Sequence, residues 1–288
     1  VARALAFKLL PNEEARLASA RTVDPEAFEA YHKGMQHWYD LNRDGLDAAE
    51  KYFRLALEKD PSYASAQTGL AMVWIGRQQM GFSLPSEARP FIKEEILRAV
   101  ALDENSAEAH HGLALYLAWT EWDWGGAWSE WQRIFELNPN FADTQAYYAH
   151  FLCNIGRPEE AIRHSERAIE LDPYNALFYR LYCVVLWDNH RFDDAMAASA
   201  HAKKISPAGI GGNIGYDEYL YMKGLLDEQI AYTRQVIMKN AGGSKDAALR
   251  LELFDRGFAE GGFKGAWRAL ADYRAAQHDE GQRFGEMA

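Results

Sequence analysis

Residues 156–173 read GRPEEAIRHSERAIELDP. Ala161, Ser165, Ala168 and Leu171 recur at the spacing of one helix face, and Pro173 ends the helix they define. The ending ELDP is echoed by ELNP before it and KISP after it. Pro139, Pro173 and Pro207 therefore stand 34 residues apart. Upstream, EKDP ends at Pro61, and Glu104 in ALDEN holds the equivalent place. The intervals are 43 and 35, so the register survives one nine-residue and one single-residue insertion. A fixed period of this length is the mark of stacked units, none of which can bury its apolar face alone.

Each unit reads as two helices. Ala142 to Asn154 places Tyr148, Ala149 and Leu152 on one face, and the stretch quoted above follows it. The next unit repeats the pattern with Tyr182, Cys183 and Leu186, then Ala195, Ser199 and Ala202. Small residues let paired helices approach, and large residues beside them fill the gap between neighbouring pairs. Asp24-Pro25-Glu26 supplies an N-cap, a proline at the first helical position and an early acid for the first unit.

These residues resemble the tetratricopeptide repeat, a 34-residue helix-turn-helix unit. Leu70, Ala71 and Trp74 fit its seventh, eighth and eleventh positions, and Leu113 and Ala114 fit likewise. Gly34 fits the eighth position of a first repeat whose second helix carries Ala49, Phe53, Ala56 and Pro61. The resemblance implies an all-α right-handed superhelical solenoid, expected as one continuous domain. Residues 1–22 read as a lead-in helix, 23–209 as five clear units and 210–288 as degenerate units. Gly224-Leu-Leu-Asp-Glu-Gln-Ile and Gly262-Phe-Lys-Gly-Ala-Trp-Arg-Ala-Leu mark the weaker pair. The order of RTVDPEAFEAYHKG, EKDPSYASAQTGLA, MGFSLPSEARP and WDWGGAW is similar to the C-terminal arrays of bacterial signalling proteins. Those carry a cyclase, kinase or winged-helix domain upstream, of which this chain holds no residues.

Trp122, Trp124, Trp128 and Trp131 crowd one segment. A ligand cage, a base-stacking platform and a packed core could each explain them. Base stacking needs interleaved cations, and only Arg133 stands among Glu121, Asp123 and Glu130. By register Trp124, Trp128 and Trp131 face the hairpin or its neighbour, so the cluster reads mainly as core. Trp122, at the interhelix turn, stays open.

The chain of 288 residues carries 42 acidic and 31 basic residues, a net charge of −11. That balance speaks against nucleic acid or an anionic membrane surface as partner. No run approaches the roughly 18 apolar residues of a membrane span. The N-terminus lacks the order of a signal peptide, and it opens on Val1 and not on Met, so the chain reads as a piece of a longer protein. A cytoplasmic location is expected, or a periplasmic one if that longer protein has an upstream membrane helix. Cys153 and Cys183 make no disulfide framework and no zinc motif, and read as small buried hydrophobes.

No phosphate-cradling glycine loop, nucleophile set or metal-ligand spacing stands out. The adjacent pair His110-His111 points two ways on a helix, with His110 expected in the core and His111 in the groove. The chain therefore reads as non-catalytic, with no cofactor and no metal.

The resemblance implies that first helices line a concave groove. Its positions carry Tyr31, Met35, Trp38 and Tyr39, then Thr68 and Met72, then His111, Leu115 and Trp119. His150 and Asn154 follow, then Arg180, Val184 and Trp187. The Lys/Asn pair that clamps a C-terminal carboxylate in some members is absent. The corresponding pairs here are Tyr31/Met35, Thr68/Met72, His111/Leu115, Ala146/His150 and Arg180/Val184. Aromatic and Met side chains with few charges fit a protein or peptide partner bringing apolar anchors, with Trp38, Trp119 and Trp187 as hot spots. Packing of the same residues within the array is the competing reading. A self-association module forming a homodimer is the first alternative function, and a small-molecule receptor a lower one. Both insertions are expected in turns, the longer within Arg77–Pro90, where Met80, Phe82 and Leu84 should fold back on the array. The last unit ends without a polar cap, so more chain or a second copy is expected to cover it.

Overall fold

In the computed structural model, residues 22–207, 219–220, 222–240 and 245–285 are described. Most of the expected lead-in, the 209/210 boundary and the glycine pairs at 211–212 and 242–243 lie outside them. The chain divides into two compact units, residues 1–214 and 215–288.

Among the described residues, the first unit is five helical hairpins. They are α1 (Pro25–Trp38) with α2 (Arg43–Lys59), and α3 (Ala64–Gln79) with α4 (Pro85–Leu102). The third pairs α5 (Ala107–Tyr116), extended by a π-helical turn over Leu117–Glu121, with α6 (Trp124–Leu137). The last two pair α7 (Ala142–Asn154) with α8 (Pro158–Leu171), and α9 (Ala176–Asp188) with α10 (Phe192–Ile205). The described residues contain no strand. The unit is an all-α solenoid of tetratricopeptide hairpins.

Local chemistry sets the helix starts. Asp24 Oδ1 accepts from the backbone N–H groups of Glu26 and Ala27 at 2.8 and 3.1 Å, with Pro25 at the first helical position. Asn42, Ser106 and Asp123 cap α2, α5 and α6 in the same way. Between the two helices of each hairpin the chain turns through the left-handed region. The residues there are Leu41, Gly81, Trp122, Gly156 and His190, with Gly224 in the same role ahead of the next unit. Glycine suits that turn because it lacks a Cβ, so the leucine, histidine and tryptophan are the strained versions of one recurring turn.

Core packing follows the expected register. Phe53 is fully buried and lies over Gly34 and Gly69, where an added Cβ would come within 2.5 and 2.7 Å of its ring. Ala49, Ala56, Ala127, Trp131, Ala161 and Ala168 are all fully buried. Trp128 and Trp131 rest on Tyr148 and Phe151, and Trp124 rests on Phe151. Trp122 differs, being 67% exposed because the left-handed turn holds it outside the hairpin.

The insertions are not both in turns. The single extra residue of the third unit lies where α5 ends in the π-helical turn, a helix form that absorbs one surplus residue. The nine-residue insertion mostly lengthens helices. α3 has 16 residues and α4 has 18, against 13 and 14 in α7 and α8. Pro90 does not stop α4 but sits inside it, on the exposed side. Only residues 80–84 remain outside helix. Met80 and Phe82 pack on the core and Arg43 lies over the Phe82 ring at 4.6 Å, whereas Leu84 is 63% exposed.

The second unit holds α11 (Leu226–Asn240) and a helical run Lys245–Gly285, interrupted by non-helical dihedrals at Gly261 and Gly262. Gly224 precedes α11, matching the start signal in the sequence. Ala266 is fully buried as Ala127 is, and Gly257 and Gly265 let two backbones meet.

Candidate functional site

The first helices of the hairpins carry the residues singled out for the groove. On α1 the spacing of Tyr31, Met35 and Trp38 makes one stripe, which Tyr39 at the C-cap extends. Trp38 does not present itself to a partner. It is fully buried, and its indole N–H donates to the Met72 carbonyl of α3 at 3.0 Å. Leu115 is likewise fully buried in the core. These two are corrections to the groove reading: both fill the interior between first helices.

The remaining residues spread along the face. Tyr31, Met35, Tyr39, Thr68, Met72 and His111 converge on one cavity of 310 Å³. His32, Gln36, Glu108, Phe141 and Asp143 complete its wall. Farther along, the half-buried Trp119 stacks on His150 with ring centroids 5.4 Å apart. Asn154 is exposed and Val184 half-buried. Trp187 packs on Phe192 of its own hairpin at 4.9 Å. Arg180 is buried and donates to the Tyr39 carbonyl at 3.3 Å.

That last contact belongs to a closure between distant hairpins. The Tyr39 hydroxyl donates to both Asp143 carboxylate oxygens, at 3.1 and 3.0 Å, and its ring meets Phe178 edge-on at 6.4 Å. Trp38 lies 6.3 Å from Tyr147, and Ser206 reaches Asp40 at 3.5 Å. The end of α1 thus touches α7 and α9, more than a hundred residues on. Tyr39 and Asp143 belong both to this contact and to the cavity wall.

The electrostatics of the cavity differ from the charge-poor groove read from the sequence. Asp143 is buried, and loss of water pushes its carboxyl up to about 7, against the pull of the Tyr39 hydrogen bond. The charges of Asp172 and Glu108 push it the same way. Among the described residues, neither Asp143 nor Glu108 is paired with a lysine or arginine. Burial also drives the His111 imidazole down to about 3, which keeps it neutral. His111 Nδ1 meets Thr144 Oγ1 at 3.1 Å, and its Nε2 is buried without a hydrogen-bond partner.

The histidine pair departs from its expected assignment in burial: His111, in the cavity wall, is the more deeply buried of the two, and His110, expected in the core, is not. His110 is partly exposed, with its ring nitrogens against Glu130 at 2.5 Å and the Glu104 carbonyl at 2.9 Å. That carboxylate contact raises its pKa. Glu108 and Asp143 were legible in principle. Each occupies the second position of its repeat, three residues before His111 and Ala146, where groove contacts also arise.

No group of three or more metal-binding side chains occurs among the described residues. Cys153 and Cys183 are free thiols, pushed up to about 11 by burial, the wrong direction for a nucleophile. No described helix is long and apolar enough to cross a membrane.

No family model and no curated protein matches the chain. Among solved structures, it is similar to TTC0263, a thermophilic TPR protein of Thermus thermophilus, at 19% identity and TM-score 0.47, covering 63% of this chain and 92% of that one. It is also similar to YrrB, described as a TPR protein with an unusual peptide-binding site, at 21% identity and TM-score 0.35, over 69% and 93% of the two chains. Pseudomonas aeruginosa pilF is similar at 18% identity and TM-score 0.44, over 77% and 96%. Likenesses at these scores carry no functional argument. The chain's identification as an all-α tetratricopeptide solenoid rests on its own five hairpins and their 34-residue period.

Proposed function

We propose that the first unit is a non-catalytic protein-interaction scaffold that seats a partner segment along its first-helix face. The observation that carries this is the 310 Å³ cavity at the junction of α1, α3, α5 and α7, walled by Tyr31, Met35, Met72 and Phe141. Met and aromatic side chains accommodate an apolar anchor without a rigid fit. Trp119 and Trp187 extend the same face, so anchors would be taken up at the cavity and again farther along. The order of sequence motifs supports a place within a larger bacterial signalling or regulatory protein.

The test begins with peptides selected by display against the whole chain. Their affinity is then measured by fluorescence anisotropy over a salt series. Burying an apolar side chain contributes about 1.5–3 kcal/mol, whereas a rim ion pair contributes about 0–1 kcal/mol. The salt dependence should therefore be shallow. Met35→Ala and Trp187→Ala should each weaken binding by more than about 1 kcal/mol with helical content unchanged. A steep salt dependence with neither substitution felt would refute the groove as the binding face.

Self-association is favoured by a different observation. Leu84, Phe91 and Trp122 are exposed, and Arg89 ties the start of α4 to Thr120 and Glu121 beside Trp122. An apolar patch of this kind fits contact with a second copy. Light scattering at micromolar concentration decides it: a monomer rules it out as the main role.

A further inference from the structure

The cavity wall combines apolar side chains with two carboxylates, a combination that an apolar anchor alone does not use. Asp143 is buried and accepts from the Tyr39 hydroxyl, and the half-buried Glu108 belongs to the same wall. Neither has a cationic partner among the described residues. A carboxylate held out of water without a cation is costly to the fold, and so is a buried nitrogen left without a hydrogen bond. His111 supplies the second of these: its Nε2 is orphaned in the wall of the same cavity. In the tautomer that donates Nδ1–H to Thr144, that nitrogen offers a lone pair.

We propose that this cavity receives the ammonium group of a lysine side chain from the partner segment. The ammonium sits against Asp143, with Glu108 and His111 in the same wall. Tyr31, Tyr39 and Phe141 line the cavity, where aromatic rings can attract a cation and cover its stem, and Met35 and Met72 line the alkyl chain. Arginine fits less well. Both Asp143 oxygens already accept from Tyr39, so a planar fork could not engage them in parallel without displacing that hydroxyl, whereas a compact ammonium needs only one remaining lone pair. An anion is excluded by the two carboxylates and by the overall charge of −11. This inference rests on the scaffold reading but identifies what its central cavity selects.

Binding should strengthen as pH rises through the range where Asp143 ionises. The groups acting on Asp143 from neighbouring elements are Tyr39 at the end of α1, Glu108 on α5 and Asp172 after α8. Tyr31 on α1 and Tyr147 on α7 feel its charge in turn, and both stay protonated because burial raises them. A lysine ammonium keeps its proton throughout, so the dependence reports Asp143.

The direct probes are n-butylammonium, n-butylguanidinium and n-butanol, titrated into the whole chain by calorimetry and ligand-observed NMR. At pH 8 butylammonium should bind at least tenfold more tightly than either other probe. Lowering the pH from 8 to 6 should weaken it about tenfold, since a carboxyl titrating near 7 passes from mostly ionised to mostly protonated. Asp143→Asn should abolish the preference for ammonium over butanol, and Glu108→Gln should weaken it severalfold, both with unchanged far-UV dichroism. Equal binding of ammonium and alcohol, or a preference that survives Asp143→Asn, overturns the proposal. A second arm replaces each lysine of a display-selected peptide with norleucine. A tenfold loss at one position, absent in Asp143→Asn, supports a partner lysine. Peptides that bind in the groove with no lysine dependence overturn this inference while leaving the scaffold reading intact. Butylammonium binding without any lysine dependence in peptides assigns the site to a free small amine and overturns the partner source.

Discussion

Asp143→Asn should make the protein more stable, and more so at high pH. In the folded state the Asp143 carboxyl is raised from 3.8 to about 7, chiefly by burial. A carboxyl raised on folding contributes most below its unfolded value, and that contribution is lost as pH climbs to the folded value. The gap of about three pH units corresponds to roughly 4 kcal/mol when the group is fully ionised, at about 1.36 kcal/mol per unit. By pH 5 less than half of that is lost, and by pH 8 nearly all of it. Asparagine has the same shape, stays neutral and can still accept from the Tyr39 hydroxyl. Its advantage over the parent should therefore grow by roughly 2–3 kcal/mol between pH 5 and pH 8. His111, lowered to about 3, pulls stability the other way as pH falls but does so equally in both proteins. Urea unfolding followed by tryptophan fluorescence and far-UV dichroism measures this, and coincident curves establish that the transition is two-state. An advantage that does not change with pH, or a variant less stable at pH 8, would refute the reasoning. A group that destabilises the fold at neutral pH is the kind that binding retains.

Two further outcomes follow from the turns. Trp122→Gly should raise stability by about 1 kcal/mol in the same urea assay, because the tryptophan is exposed at φ 58° in a turn where neighbouring hairpins use glycine; a loss of stability would mean that Trp122 packs on something the left-handed turn does not explain. Limited proteolysis of the native protein should spare residues 79–86, because Met80 and Phe82 are packed on the core; rapid nicking there would contradict the fold-back.

The fold was legible because repetition averages out local ambiguity. Pro139, Pro173 and Pro207 alone set the period, and Phe53, Ala127 and Trp131 then fall at buried positions by counting. Local signals also carried the caps, as at Asp24. What the sequence did not reveal depends on superhelical closure. The approach of Tyr39 to Asp143 and of Arg180 to the Tyr39 carbonyl is set by how five hairpins stack, and no pattern within one repeat encodes it. Trp38 departs from its expected place for that reason: a groove position became interior once the first helices closed on it. The insertion departs from a turn because proline does not always stop a helix. Pro90 lies near the start of α4 on its exposed side, where one lost hydrogen bond is tolerated. Asp143 and Glu108 stood at groove positions in plain view, but their significance lies in burial without a cation, which only the three-dimensional arrangement shows.

The most direct test of the account is hydrogen–deuterium exchange on the whole chain with and without a saturating display-selected peptide. Added protection should fall on the first helices, Pro25–Trp38, Ala64–Gln79, Ala107–Tyr116, Ala142–Asn154 and Ala176–Asp188, and should leave the second helices Arg43–Lys59, Pro85–Leu102, Trp124–Leu137, Pro158–Leu171 and Phe192–Ile205 unchanged. Protection concentrated on the second helices, or spread evenly over both sets, would contradict a partner seated on the concave face.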